Sequence, residues 1–145
     1  FISTGQVRHA LVIGAETLSC FLDWEDRTTC VLFGDGAGAV IFSAAGPHTA
    51  APPRGVLATY LSADGGLAEH LYADGGPSST QTVGKVRMNG KEVFRNAVQE
   101  ISNAVLEVTE RACVKREEID WFVPHQANIR IIEACAKRLE LDESK

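Results

Sequence analysis

No apolar run in this sequence approaches the ~20 residues that a membrane-spanning helix needs. An excess of basic charge is missing as well. The net charge is −5, and an acidic balance argues against nucleic acid, which requires a net basic footprint. The four cysteines, Cys20, Cys30, Cys113 and Cys135, form no C-x-x-C pair, and no Cys/His spacing matches a zinc site. No metal is expected. Cys30 lies in an apolar run, and Cys113 and Cys135 lie in helical patterns, where Cys behaves as a small buried hydrophobe; all four are expected to be reduced structural thiols. The first residues, Phe1-Ile2-Ser3-Thr4-Gly5, have neither an initiator Met nor the basic n-region of a signal peptide. They read as the tail of a helix, with Gly5 where left-handed φ is favoured. The last residues, Leu141 to Lys145, stop just past a second helix, so a fragment of a longer protein is expected.

The residues that are present describe an ordinary globular chain. Hydrophobic residues make up 45% and charged residues 23% of 145, enough for one core. The acidic excess lies in residues 1–84, with 3 basic and 8 acidic groups, while residues 85–145 carry 11 of each. Val7–Gly14, Thr28–Phe33 and Ala37–Ser43 read as strands, the last two flanking Gly34-Asp35-Gly36. Residues 43–55 hold three of the five prolines and few large apolar groups, the composition of a linker. Val56–Ser62 alternates as a strand does. Two Ala-Asp-Gly-Gly segments between residues 63 and 84 are turn signals. Asn89 is a favoured N-cap with Glu92 three residues on, and Phe94, Ala97, Val98, Ile101, Val105, Val108 and Ala112 form one apolar face of a long helix. Ile119–Val123 reads as another strand. Ile129, Ile132, Ala136 and Leu139 mark a final amphipathic helix. This order of elements predicts an α/β sandwich.

The most informative stretch is Trp121-Phe122-Val123-Pro124-His125-Gln126-Ala127-Asn128-Ile129-Arg130. Apolar residues end a strand, Pro124 stops the ladder for want of an N–H, and a histidine precedes a helix. An α/β fold uses that arrangement to bring a reactive side chain to the crevice beyond its strand ends. The stretch resembles the His-Gln-Ala-Asn motif of the 3-ketoacyl-acyl carrier protein synthase III family, the condensing enzymes that initiate type II fatty acid synthesis. Asp26-Arg27-Thr28-Thr29-Cys30-Val31-Leu32-Phe33-Gly34-Asp35-Gly36-Ala37-Gly38-Ala39-Val40 and Met88-Asn89-Gly90-Lys91-Glu92-Val93-Phe94 are similar to two further family blocks, in the same order. Any one block alone would also admit chalcone synthases or hydroxymethylglutaryl-CoA synthases.

The resemblance implies a thiolase-like layered αβαβα fold, of which this chain holds the end of the first half (residues 1–43), a linker (44–55) and the start of the second half (56–145). It implies an acyltransferase that condenses an acyl-CoA primer, acetyl-CoA for preference, with malonyl-acyl carrier protein. His125 is then the catalytic donor to the enolate. The family's nucleophilic Cys and its Gly-Asn-Thr-Ser-type motif have no counterpart among these residues, so the chain alone is expected to be inactive. Arg27 would pack on the coenzyme A adenine, and Met88, Gly90, Phe94 and Asn128 would line the pantetheine tunnel. At Lys91 family members often carry another polar residue. Leu18, Leu32 and Phe33 would wall the acyl pocket, and Arg130 would dock acyl carrier protein, with weaker support for Lys137 and Arg138. Coenzyme A enters as a thioester substrate and no separate cofactor is implied. The family resemblance also implies a cytoplasmic homodimer.

Other readings of the same residues remain open. Arg27, beside Glu25 and Asp26, could be a surface ion pair, and Arg130 a solvated helix residue. Leu18, Leu32, Phe33, Met88 and Phe94 could be plain core. Gly34-Asp35-Gly36-Ala37-Gly38 is not a phosphate loop, since Ala39 breaks G-x-G-x-x-G and strands flank it. The alternatives to a condensing enzyme are a non-catalytic partner subunit, or a related coenzyme A enzyme with another acceptor.

Overall fold

The apolar run expected from Val7 forms strand β1, His9–Thr17, and the run after Asp35 forms β2, Asp35–Ser43. They pair antiparallel from His9↔Ser43 to Thr17↔Asp35. Both faces of this ribbon are apolar and open, with Ile13 and Ile41 63% and 70% exposed on one and Val12 and Val40 50% and 54% exposed on the other. Such two-sided hydrophobicity belongs to strands covered on both faces. The computed structural model describes residues 1–46, 55–142 and 144–145. The middle of the expected linker, residues 47–54, lies outside the described residues. The chain divides into two compact units, Phe1–Gly55 with Ala73–Val86, and Val56–Tyr72 with Arg87–Lys145.

In the first unit, the opening residues close as a helix tail does. Gly5 N donates to Ile2 O and Gln6 N to Phe1 O, with Gly5 at φ 74°. This is the paired bonding of a left-handed helix cap. The strand expected over Thr28–Phe33 is a series of turns instead, with Cys30 N donating to Asp26 O and Leu32 N to Thr29 O. The cause is local. Asp26 accepts from Thr28 N at 2.9 Å and from the Thr28 and Thr29 hydroxyls at 2.6 and 2.9 Å. Side-chain bonding of this kind competes with a ladder and overrides the β-propensity of Thr and Val. Leu22, Thr29 and Val86 are buried here, and Lys85 Nζ donates to Leu22 O. Gly84 backs onto Gly75 so closely that a Cβ would sit 2.8 Å from the Gly75 Cα. Only glycine fits that approach.

The second unit is built on α1, Gly90–Ala112, and α2, Ile129–Leu139. Asn89 caps α1 as its sequence position predicts, accepting from Glu92 N. The expected apolar face of α1 is half-buried throughout. On α2 the expected face is displaced: Ile131, Cys135 and Leu139 are buried, while Ile129 is 64% exposed. The helix carries two apolar stripes. One packs on α1, and Ile129, Ile132 and Ala136 line an open groove with Phe122 and Leu141. Two short strands, β3 (Leu71–Ala73) and β4 (Val86–Met88), pair with each other where the units divide. Neither had a sequence signal.

Two expected strands of this unit are irregular chain without a ladder. Val56–Ser62 is tied to α1 by Arg111, whose guanidinium lies 5.0 Å from the Tyr60 ring centre and donates to Thr59 O. In Ile119–Val123, burial alternates only from Trp121 on, with Trp121 and Val123 about three-quarters exposed and Phe122 half-buried. Ile119 N donates to Arg116 O and Phe122 N to Lys145 O. A strand needs a neighbour to be a strand, and none lies beside these segments among the described residues. Of the two Asp-Gly-Gly segments, the first opens a 3-10 helix, Gly65–His70, with Asp64 as its cap accepting from Gly66 N, and in the second Asp74 accepts from Lys85 N, 11 residues on.

Candidate active site

His125 is exposed on the irregular stretch, bent at Ala127, that follows Pro124 and ends at the N-cap of α2. Asn128 sets that boundary. It is extended (φ −159°, ψ 129°), and its Oδ1 accepts from Arg130 N at 2.9 Å, satisfying one of the helix's spare donors. With Oδ1 engaged in this way, the side-chain amide presents N–H donors outward. Arg130 stands exposed in the first turn of α2, and Lys137 and Arg138 are exposed in its last turns.

Met88, Gly90 and Phe94 come from the junction of β4 and α1. Asn89 N donates to His70 O at 2.8 Å and fixes that junction. The Met88 methyl lies over Gly90, 3.6 Å from where a Cβ would be. Met88 and Phe94 are half-buried, and Lys91 is exposed. The structure therefore brings Met88 and Gly90 together and puts Phe94 one turn along the same helix.

The other candidates sit in the first unit. Arg27 is exposed on the turn that Asp26 organises. Leu18 is half-buried in a 3-10 turn, Leu18–Phe21, directly after β1. Leu32 is 48% exposed and Phe33 half-buried just before β2. Sequence reasoning passed over Asp35, whose carboxylate takes two bonds from Ser19; these hold its carboxyl below the usual carboxylate range. An Asp between glycines at a strand start was the available signal, but its partner is 16 residues away.

The cysteines divide by environment. Cys135 is buried against α1, and burial pushes its thiol up, opposed by Ser102 and Arg138. Cys113, expected to be buried, is exposed because it caps α1 rather than lying within it. Cys20 is exposed and Cys30 half-buried. Among the described residues, no three His, Cys, Asp or Glu side chains converge as a metal site, and no helix is long and apolar enough to cross a membrane.

An antiparallel ribbon apolar on both faces, a long helix, and a histidine presented ahead of a second helix make this chain a segment of the thiolase-like α/β class, a likeness shared with solved structures. The chain belongs to the family described as 3-Oxoacyl-[acyl-carrier-protein (ACP)] synthase III, which matches residues 1–65, with its C-terminal counterpart matching residues 109–145. The beta-ketoacyl-[acyl-carrier-protein] synthase III of Brucella suis is 57% identical over 145 residues, covering 100% of this chain and 45% of that protein. That of Novosphingobium aromaticivorans is 59% identical over 145 residues, covering 99% and 45%. The crystal structure of the Aquifex aeolicus 3-oxoacyl-[acyl-carrier-protein] synthase III superposes with a TM-score of 0.85 at 46% identity, covering 100% of this chain and 43% of that one. The Thermus thermophilus enzyme gives 0.82 at 41% identity, covering 97% and 44%. The chain thus spans about half the length of the curated relatives it matches.

Proposed function

We propose that the full-length protein carrying this segment is a beta-ketoacyl-acyl carrier protein synthase III. It would join an acyl-CoA primer, acetyl-CoA for preference, to malonyl-acyl carrier protein. The observation that carries the reading is His125, exposed between Pro124 and the Asn128-capped start of α2. Decarboxylation of the malonyl group releases carbon dioxide and leaves an enolate, whose charge develops on the thioester oxygen. An imidazole N–H fixed near that oxygen stabilises the charge more in the transition state than in the ground state. The enolate carbon then attacks the acyl thioester of a nucleophilic Cys, forming the carbon–carbon bond and expelling the thiolate.

The remaining candidates fit roles around that chemistry. Met88, Gly90, Phe94 and Asn128 line the pantetheine arm, Arg27 packs on the coenzyme A adenine, and Leu18, Leu32 and Phe33 wall the acyl group. Arg130 meets acyl carrier protein. Residues 1–43 close the first thiolase-like half and residues 56–145 open the second. The enzyme is a cytoplasmic homodimer that takes coenzyme A as substrate and needs no separate cofactor. The nucleophile and the second oxyanion donor have no counterpart among these residues, so the segment alone is inactive. A non-catalytic partner subunit would have little use for His125, which weighs against that alternative.

In the full-length protein, His125→Ala is expected to abolish carbon dioxide release from malonyl-acyl carrier protein, by 10²-fold or more, while labelled acetyl groups still load onto the enzyme. Equal loss of both half-reactions would remove His125 from the enolate site.

A further inference from the structure

The 3-10 turn Leu18–Phe21 has no local cap. Thr17 holds its N-cap position, but its side chain makes no capping bond. The first N–H groups of such a turn have no partner within it. Asp35 supplies one from across the ladder. It is the first residue of β2 and the register partner of Thr17. Asp35 Oδ1 accepts from Ser19 N at 2.7 Å, and Asp35 Oδ2 accepts from Ser19 Oγ at 2.7 Å. Two carboxylate oxygens on two donors of one residue fix orientation as well as distance, at the short lengths of charge-assisted bonds. Ser19 is adjacent to Leu18, so the grip on Ser19 fixes where the Leu18 side chain stands relative to the start of β2.

We propose that Asp35 is a positioning residue: by gripping Ser19 it sets the place of Leu18, and with it the length of acyl primer the enzyme accepts. This rests on the reading above that Leu18 walls the acyl pocket. An apolar pocket discriminates one methylene by roughly tenfold or more, so a small displacement of one wall residue is read out as primer preference. The carboxylate touches no reacting atom. Its effect passes through the turn.

The test measures kcat/KM for straight-chain acyl-CoA primers of increasing length, using the full-length enzyme and malonyl-acyl carrier protein. Leu18→Ala is expected to shift the long-to-short primer ratio toward longer chains by about tenfold. Asp35→Ala should move the ratio in the same direction by several-fold, Ser19→Ala by less, and Ser19→Thr, which keeps both donors, should hold it at the original value. Should Asp35→Ala not fold, as judged by its thermal transition, Ser19→Ala and Ser19→Thr decide the matter between them. If Leu18→Ala shifts the ratio while the Asp35 and Ser19 variants reduce all primers in proportion, the grip is merely structural and the proposal fails, with the pocket reading intact. If Leu18→Ala leaves the ratio unchanged, Leu18 is no wall and both ideas fall together.

Discussion

A guanidinium on a turn is useful for recognition only if the turn is stiff. Arg27 follows Asp26, whose carboxylate bonds Thr28 N and the hydroxyls of Thr28 and Thr29, and Thr29 is buried. The backbone under Arg27 is therefore pinned while its side chain remains exposed. A planar cation held in this way can stack on a purine, which the pantetheine arm alone does not carry. In the full-length enzyme, Arg27→Ala is expected to cost acetyl-CoA about 1 kcal/mol in kcat/KM and to leave acetyl-pantetheine unchanged. An identical loss with both primers would take Arg27 out of the adenine site.

The two helices of the second unit end alike, and both endings are strained. Cys113 after α1 and Glu140 after α2 each adopt φ 52°, in the left-handed region. At α1, Cys113 N donates to Glu110 O and Val114 N to Thr109 O, a cap geometry that glycine adopts freely. A side chain there costs roughly 1–2 kcal/mol, and part of that is returned by the greater freedom glycine has when unfolded. Cys113→Gly should therefore stabilise the full-length protein by roughly 0.5–1 kcal/mol, seen as a higher midpoint in chemical denaturation. Its exposed thiol makes no demand on packing. A lower midpoint would mean that the Cys113 side chain contributes more than its backbone costs. Glu140 is a poorer target, because Arg116 bonds both its carboxylate and Leu139 O.

Across the whole molecule, charge and apolar exposure are distributed differently. The acidic excess sits in residues 1–84, while the balanced remainder places Arg130, Lys137 and Arg138 exposed on α2. A cation at the start of α2 opposes the helix dipole, so stability gives no reason for Arg130 to be there. A docking role for an acidic carrier protein supplies one. Arg130→Glu is expected to lower kcat/KM for malonyl-acyl carrier protein about tenfold at low salt, with the loss shrinking as salt rises. Malonyl-CoA should be used as before. Equal loss with both substrates would assign Arg130 to holding the start of α2, and no loss with either would leave it a solvated side chain.

Local signals in the sequence were enough for some elements and for the candidate histidine. Asn89 and Glu92 announced the start of α1, Gly5 a left-handed cap, and Pro124 the end of the apolar run before His125. Each depends on bonds within a few residues, which a sequence states directly. The apolar runs of β1 and β2 were legible as strands, but their pairing was not, since residues 18–34 separate them. Tertiary structure decided the rest. Thr28–Phe33 has the composition of a strand, yet the Asp26 carboxylate folds it into turns. Val56–Ser62 has a strand's alternation and Ile119–Val123 a strand's apolar run, but neither has a neighbouring strand among the described residues, and a ladder cannot form on one side alone. Which of α2's two apolar stripes is buried was settled by contact with α1. The grip of Asp35 on Ser19 spans 16 residues and arises only because the ladder sets Thr17 opposite Asp35. Periodicity states what a segment can bury or bond; which partner it meets is decided by the chain's path through space.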